Sequence, residues 1–362
     1  MVTSPPFWAG RRVLVTGHTG FKGAWLSLWL AKLGAQVDGY ALDPPSTPSL
    51  FELAGVARQL HSSSHGDIND GALLDEHVRQ LRPQVVFHLA AQSLVRRSYE
   101  FPVETFATNV LGTVHILEAV RRAAIPCVVV IVTSDKCYDN REWDWPYREN
   151  DPLGGYDPYS SSKGCAELVT AAYRRSYFSA PLPAGGSVAV ASARAGNVIG
   201  GGDWARDRLV PDFVRAAEVC KPAVIRNPHA LRPWQHVLEP LAGYLLLAEA
   251  LAERPGDFAR AWNFAASDDQ ARPVSWLADT MVRLWQGQAS WVVDAKPQPH
   301  EAHALRLDAS LARSLLGWRP RLHLETALEW VVEWYQRCRG GEDAARVTLD
   351  QIGRYERLAK PS

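Results

Sequence analysis

The sequence is short of lysine, cysteine and methionine, and it carries no net charge: 39 basic and 39 acidic residues cancel across 362 positions. Without a long-range field, neither nucleic acid nor an anionic membrane surface is an expected partner. An anionic ligand has to be met by a few placed groups. The five cysteines (Cys127, Cys137, Cys165, Cys220, Cys338) are odd in number and never spaced Cys-x-x-Cys, which excludes a disulfide framework and a zinc ribbon. No apolar run approaches the ~20 residues that span a bilayer. The opening stretch MVTSPPFWAGRR lacks the apolar core of a secretion signal, so a soluble, cytoplasmic protein is expected. His300 and His303 are i, i+3 in a Pro-rich stretch without a third ligand, and no metal is expected.

Lysine scarcity is itself informative. Only seven of the 39 basic residues are lysine (Lys22, Lys32, Lys136, Lys163, Lys221, Lys296, Lys360). An amine can surrender its proton in a protein whereas a guanidinium cannot, so lysines kept in an arginine-rich chain are candidates for work that needs an amine. Lys22, Lys136 and Lys163 fall inside the motifs below.

What is present is apolar periodicity. Val13–Thr16, Gln36–Leu42, Val85–Leu89, Val128–Thr133 and Val188–Ser192 read as buried strands, and Trp25–Leu33, Val103–Arg122 and Pro158–Phe178 as helices. Fully apolar strands alternating with helices predict an α/β fold with a parallel sheet covered on both faces. After Gly200 the pattern loosens into a smaller lobe, and LGWRPRLHLETALEWVVEWY predicts a turn and an amphipathic helix that closes it.

The first strand runs into Gly17-His18-Thr19-Gly20-Phe21-Lys22-Gly23 and a helix. Glycines at that place let backbone N–H groups and the helix dipole meet a pyrophosphate. Asp43 ends the second strand about twenty residues later, where an acid binds ribose hydroxyls. No arginine follows it closely to hold a further phosphate, which favours NAD over NADP. Asp67 and Ile68 are positioned for adenine, and the small residues after His88, namely Leu89, Ala90 and Ala91, allow close approach of a cofactor. Tyr159 and Lys163, four apart after Asp157-Pro158, share one helix face near its positive end, where dipole and ammonium should both favour a phenolate. Ser134, at the carboxyl end of a central strand, completes a set suited to moving the proton of a substrate alcohol.

These motifs, with Asn109 and the segment Arg194-AGNVIG, resemble the extended short-chain dehydrogenase/reductase family over nearly the whole chain. The stretches HTGFKG, TSDKCYDNREW, GGYDPYSSSKGCAELV and NPHALRPWQHVLEPL are similar to the CDP-glucose branch of its nucleotide-sugar 4,6-dehydratases. The resemblance implies a Rossmann-type doubly wound sheet with a smaller substrate-binding lobe. The expected division is 1–200 with a returning segment at 236–266 for NAD, 201–235 and 267–345 for the nucleotide sugar, and 346–362 as a tail. It implies oxidation at C4, loss of water across C5 and C6, and return of the hydride to C6. Ser134, Tyr159 and Lys163 then serve the redox steps, with Asp135 as general acid and Lys136 as base. Asn109 falls among the cofactor residues. Asn197, Arg208 and Arg232 would hold phosphates, and Ser93 and Arg96 the hexose. A homodimer is implied, built as a four-helix bundle from 103–122 and 158–178 with Val169 and Tyr173 at the contact, a tetramer being the alternative. Three other readings stay open: a dehydratase for dTDP-glucose or GDP-mannose, a 4-epimerase, and a non-catalytic NAD-binding regulator.

Overall fold

The computed structural model describes residues 4–183, 185–266, 270–285, 289–294 and 304–358. His300 and His303 lie outside the described residues. Seven strands, β1 (Arg12–Thr16), β2 (Gln36–Ala41), β3 (Ser62–His65), β4 (Val85–His88), β5 (Cys127–Val132), β6 (Val188–Ala195) and β7 (Ala261–Phe264), form one sheet in the order β7-β6-β5-β4-β1-β2-β3. Every pairing in it is parallel. The chain winds outward from β1 through β2 to β3, then crosses back to β4 and winds the other way. The reversal between β1 and β4 opens a crevice at the strands' carboxyl ends.

The helices that matter are α1 (Phe21–Lys32), α2 (Gly71–Leu81), α3 (Gly112–Ala123), α4 (Pro158–Ser176), α5 (Leu238–Glu253), α6 (Leu324–Arg339) and α7 (Ala344–Arg357). Successive strand residues point to opposite faces, so each strand feeds two cores. Val13, Val15, Val85, Phe87, Val128 and Val130 pack into the layer that holds α1 and α5. Leu14, Val86, Val129 and Ile131 pack with α2 and α3 on the other. That is why these strands read as continuous apolar runs rather than as alternations. Three of these helix starts are fixed by side chains: Asp70 accepts the Leu73 N–H at 3.0 Å, Asp157 accepts the Ser160 N–H at 2.9 Å with Pro158 in the first turn, and Asp343 accepts the Arg346 N–H at 3.2 Å. Three pairs of short strands flank the crevice: Asn197–Ile199 with Trp234–His236, Leu231–Arg232 with Arg272–Pro273, and Ala223–Ile225 with Trp291–Val293.

Three differences from the sequence reading have physical causes. β3 is Ser-Ser-Ser-His, an edge strand with no apolar run to betray it. The helix expected over 103–122 is Pro102–Phe106, a π-helical turn Ala107–Leu111 and α3; the wide turn directs Asn109 inward, where it is buried. Residues 346–362, expected as a tail, lie mostly in α7. There Val347, Ile352 and Tyr355 are buried and Glu356 accepts the Trp29 indole N–H at 2.9 Å. Among the described residues no helix is long and apolar enough to cross a membrane.

The docking of α7 depends on Glu239, buried in the first turn of α5. Its carboxyl accepts the backbone N–H groups of Arg321 (2.8 Å) and Leu322 (2.7 Å) and the Tyr355 hydroxyl (2.7 Å). Burial pushes its pKa from 4.5 up to about 7 against those donors. A carboxyl raised in this way stabilises the fold fully below about pH 4.5, and that stability is lost as pH rises through about 7. Glu239→Gln, which cannot ionise, is expected to flatten the fall in stability between pH 6 and pH 9 by about 1–3 kcal/mol. Chemical denaturation of both proteins across that range tests this, and parallel curves refute it.

Candidate active site

A cavity of about 950 Å³ opens at the carboxyl ends of the strands. Its floor is the turn from β1 to α1. Gly17 has φ of +77°, and a Cβ there would lie 2.7 Å from the backbone nitrogen of Ala90 and 2.8 Å from the carbonyl carbon of Leu89. Only glycine permits that approach of β1 to β4. A Cβ on Gly23 would lie 2.1 Å from the Gly17 carbonyl oxygen, so the second glycine is fixed by the same turn. Gly20 caps α1 without a side chain, leaving the first N–H groups of the helix directed at the cavity. A diphosphate fits there by charge and by space. Thr19 ties the turn to β2 by donating to the Leu42 carbonyl at 2.9 Å.

Gly17, Thr19, Gly20, Phe21, Lys22, Gly23, Asp43, Asp67, Ile68, Leu89, Ala90 and Ala91 all line the cavity. Asp43 is 90 % exposed with His65 3.8 Å away, an acid presented for a ligand rather than spent on a neighbour. Asn109, of the expected cofactor residues, does not line it. Its amide instead accepts the Gln92 N–H and donates to the Gln92 carbonyl, both at 2.9 Å, and donates to Ser162 at 2.8 Å. It therefore ties the segment after β4 to α4.

Ser134, Asp135, Lys136, Tyr159 and Lys163 converge on the same cavity. The Lys163 amine donates to the Val132 carbonyl at 3.4 Å, and Ser134 hydrogen-bonds the Tyr159 phenol. The expected phenolate is not what this environment favours. Burial drives the Tyr159 pKa up to about 12, with the charge of Asp135 adding to it, and this outweighs the lowering by Ser134 and Arg208. Burial also drives the Lys163 pKa down to about 8. Desolvation acts against the charged form of each group.

Asp135 lies beside this pair. Ser134 donates to its carboxyl at 2.9 Å and accepts the Lys136 backbone N–H at 3.3 Å. Burial raises its pKa, against the lowering by Lys136, Ser134 and Arg232, which is the direction that favours a proton donor. Lys22 reaches the same space: burial takes its pKa down to about 7, helped by Arg208 and Lys163 and opposed by Asp135 and Asp203.

Ser93, Arg96, Asn197, Arg208 and Arg232 also line the cavity. Arg208 is held by Asp203 at 3.0 Å and donates to Ser93 at 3.0 Å, bridging two walls of the cavity. Arg96 faces Asp207 at 3.7 Å, and Arg226 binds the same carboxylate at 2.7 Å. His236 takes no part; it is buried between the rings of Trp25 and Trp330 and accepts the Leu238 N–H. Among the described residues no cluster of three His, Cys, Asp or Glu side chains could hold a metal.

With this geometry in view, comparison with known proteins is decisive for the family. A family model described as GDP-mannose 4,6 dehydratase matches residues 14–331. The CDP-glucose 4,6-dehydratase of Salmonella typhimurium is 53 % identical over 349 residues, covering 96 % of this chain and 97 % of that protein. The chain belongs to the nucleotide-sugar 4,6-dehydratase family. The dTDP-glucose 4,6-dehydratase of Xanthomonas campestris is 27 % identical over 89 % of the chain and 92 % of its own length. In fold, this dehydratase is similar to the UDP-glucose 4-epimerase of Thermotoga maritima, with a TM-score of 0.77 at 20 % identity over 90 % of this chain and 99 % of that one. It is also similar to the UDP-glucose 4-epimerase of Brucella ovis, at 0.75 and 22 % over 89 % and 97 %.

Several cavity residues of this dehydratase escaped the sequence reading. Asp203, Asp207 and Arg226 are set by the loop after Gly200 and by the Ala223–Ile225 strand. In the sequence, the glycine run before Asp203 was the one available signal. The cradle yields a direct test. Gly17→Ala is expected to weaken NAD binding at least about tenfold and to lower the melting temperature by several degrees through about 1–2 kcal/mol of backbone strain. Calorimetric titration and thermal melts measure both, and unchanged affinity would show that the turn does not hold the diphosphate.

Proposed function

We propose that this chain acts on CDP-glucose with NAD as cofactor, oxidising C4, eliminating water across C5 and C6, and reducing C6. The 53 % identity to a CDP-glucose 4,6-dehydratase over nearly the full length carries the substrate assignment. The glycine cradle and the exposed Asp43 support the cofactor. Bound NAD supplies the acceptor for the C4 hydride and the donor of the same hydride to C6.

The chain's own residues manage protons. Ser134 orients the C4 hydroxyl and Tyr159, in its phenolate form, takes the proton to become the phenol, with the Lys163 ammonium behind it. The C5 hydrogen, acidified by the ketone, goes to the amine of Lys136. Asp135, whose proton affinity burial raises, gives a proton to the departing C6 hydroxyl. Water then leaves. Asn197, Arg208 and Arg232 are our candidates for the sugar's diphosphate, and Ser93 and Arg96 for the hexose side. In this reading 201–235 and 267–345 form the nucleotide-sugar lobe on an NAD unit of 1–200 and 236–266, and the protein works in the cytoplasm.

Assay of the purified protein with CDP-, dTDP-, UDP- and GDP-activated sugars tests the proposal. A 4-keto-6-deoxy product from CDP-glucose without net NADH is expected. A C4-inverted hexose, or preference for another base, overturns the assignment. Asp135→Asn is expected to lower product formation about 10²-fold or more while C4 oxidation continues. Tyr159→Phe with its full biological effect retained would favour the non-catalytic regulator.

The homodimer is likewise proposed, on a changed footing. Val169 and Tyr173 are partly buried against the protein's own core, and Tyr173 donates to Glu118. Exposed apolar side chains on the same helices are Val103, Phe106, Leu111 and Leu168, and these are the candidates for a four-helix contact. Leu111→Glu with Leu168→Glu is expected to convert the dimer to monomer in sedimentation. A monomeric wild type rejects the bundle, and a tetramer extends it.

A further inference from the structure

Tyr159 and Lys163 are the first two members of a longer series on α4. One turn further on, at the same spacing, is Glu167, which the proposed chemistry does not use. Its carboxylate is buried, 3 % exposed, and so is its partner Arg194, 3 % exposed, at 2.8 Å. Thr133 donates to one carboxylate oxygen at 2.5 Å, and Ser192 to the other at 2.6 Å. These donors keep Glu167 ionised, its pKa lowered although burial alone would raise it. Thr133 directly follows Val132, whose carbonyl accepts from the Lys163 amine. The amine and the carboxylate are therefore anchored to adjacent residues at the end of β5, and Lys163 lies between Tyr159 and Glu167. Arg194 is held from other sides as well. Its second nitrogen donates to the Tyr138 hydroxyl at 2.6 Å and to the Glu149 carbonyl at 3.0 Å, and its guanidinium sits 4.8 Å from the Tyr138 ring centroid.

We propose that Glu167 is a positioning residue for the redox steps, a fixed buried anion one helical turn beneath Lys163 that holds the amine in its cationic form behind the Tyr159 phenol. The need for it follows from the surroundings of the amine. From α1 Lys22 repels it, from β4 the buried His88 is held neutral, and from the turn after β5 Cys137 is held as a thiol. On its own helix Tyr159 is a neutral phenol. Glu167 is the carboxylate that acts on Lys163, and it is the largest influence opposing the amine's burial. A charge so placed cannot relax away as water does, because three donors and the helix fix it. The idea rests on the proposed roles of Tyr159 and Lys163.

The test uses the full chain with NAD bound and ¹⁵N-labelled lysine. Seven lysines give few signals, and Lys163 is assigned by its loss in Lys163→Met. The wild-type amine is expected to titrate near pH 8. In Glu167→Gln the midpoint should fall by about one unit, a tenfold change in proton affinity, and the alkaline limb of kcat/KM should move down with it. Glu167→Asp, which keeps the charge, should restore both. If Glu167→Gln fails to fold because Arg194 is left unpaired, Glu167→Gln combined with Arg194→Met removes both charges and should show the same low midpoint. A folded variant with a lower melting temperature but an unmoved midpoint overturns the proposal and leaves Glu167 a packing residue. The titration needs no substrate, so its failure is distinct from a failure to dehydrate CDP-glucose.

Discussion

Exclusion of water from the carboxyl ends of the parallel strands governs this protein. Once the phenol, amine and carboxyl of Tyr159, Lys163 and Asp135 leave water, each is pushed toward its neutral form. For the general acid proposed at Asp135 that push is in the useful direction. For the base proposed at Tyr159 it is a cost. Ser134 and Arg208 offset part of it, and the charge behind the phenol has to be maintained by something other than solvent. The site is thus a set of compensations against one desolvating environment, each supplied by a different element of the fold.

The sheet delivers those elements to one place. Its reversal between β1 and β4 puts Gly17 against Ala90, so the cofactor cradle and the strand ends share a wall. β5 then carries Ser134, Asp135 and Lys136 to the next opening, and α4 brings Tyr159 and Lys163 across it. The loop after Gly200 closes the far side through Arg208, whose contacts reach Asp203 on one wall and Ser93 on the other.

Legibility in the sequence followed the strength of the local signal. Buried strands such as Val128–Thr133 announce themselves because both faces are apolar, and Gly17 because no other residue fits its conformation. β3 was invisible because an edge strand of serines needs no apolar side chain. The π-helical turn at Ala107–Leu111 was invisible because its sequence continues a helical pattern, and with it the inward turn of Asn109. α7 was read as a tail because its apolar stripe is thin and its other positions are charged. The convergence of Ser134, Asp135, Lys136, Tyr159 and Lys163 on one cavity could be read from spacing and order, but their proton affinities could not. The sequence reading weighed dipole and neighbouring charge, whereas burial, a property of the whole fold, decided the sign. Asp207 and Arg226 lay in segments with no periodicity to place them.

The handclasp between Glu239 and Tyr355 carries a consequence for biosynthesis. A carboxyl near the middle of the chain waits for a hydroxyl more than a hundred residues downstream, and α7 that bears it also covers Trp29 near the start. While the ribosome is still making the intervening segment, that carboxyl and the indole have no lasting cover. The N-terminal layer can therefore be built early but is sealed only when residue 355 has emerged.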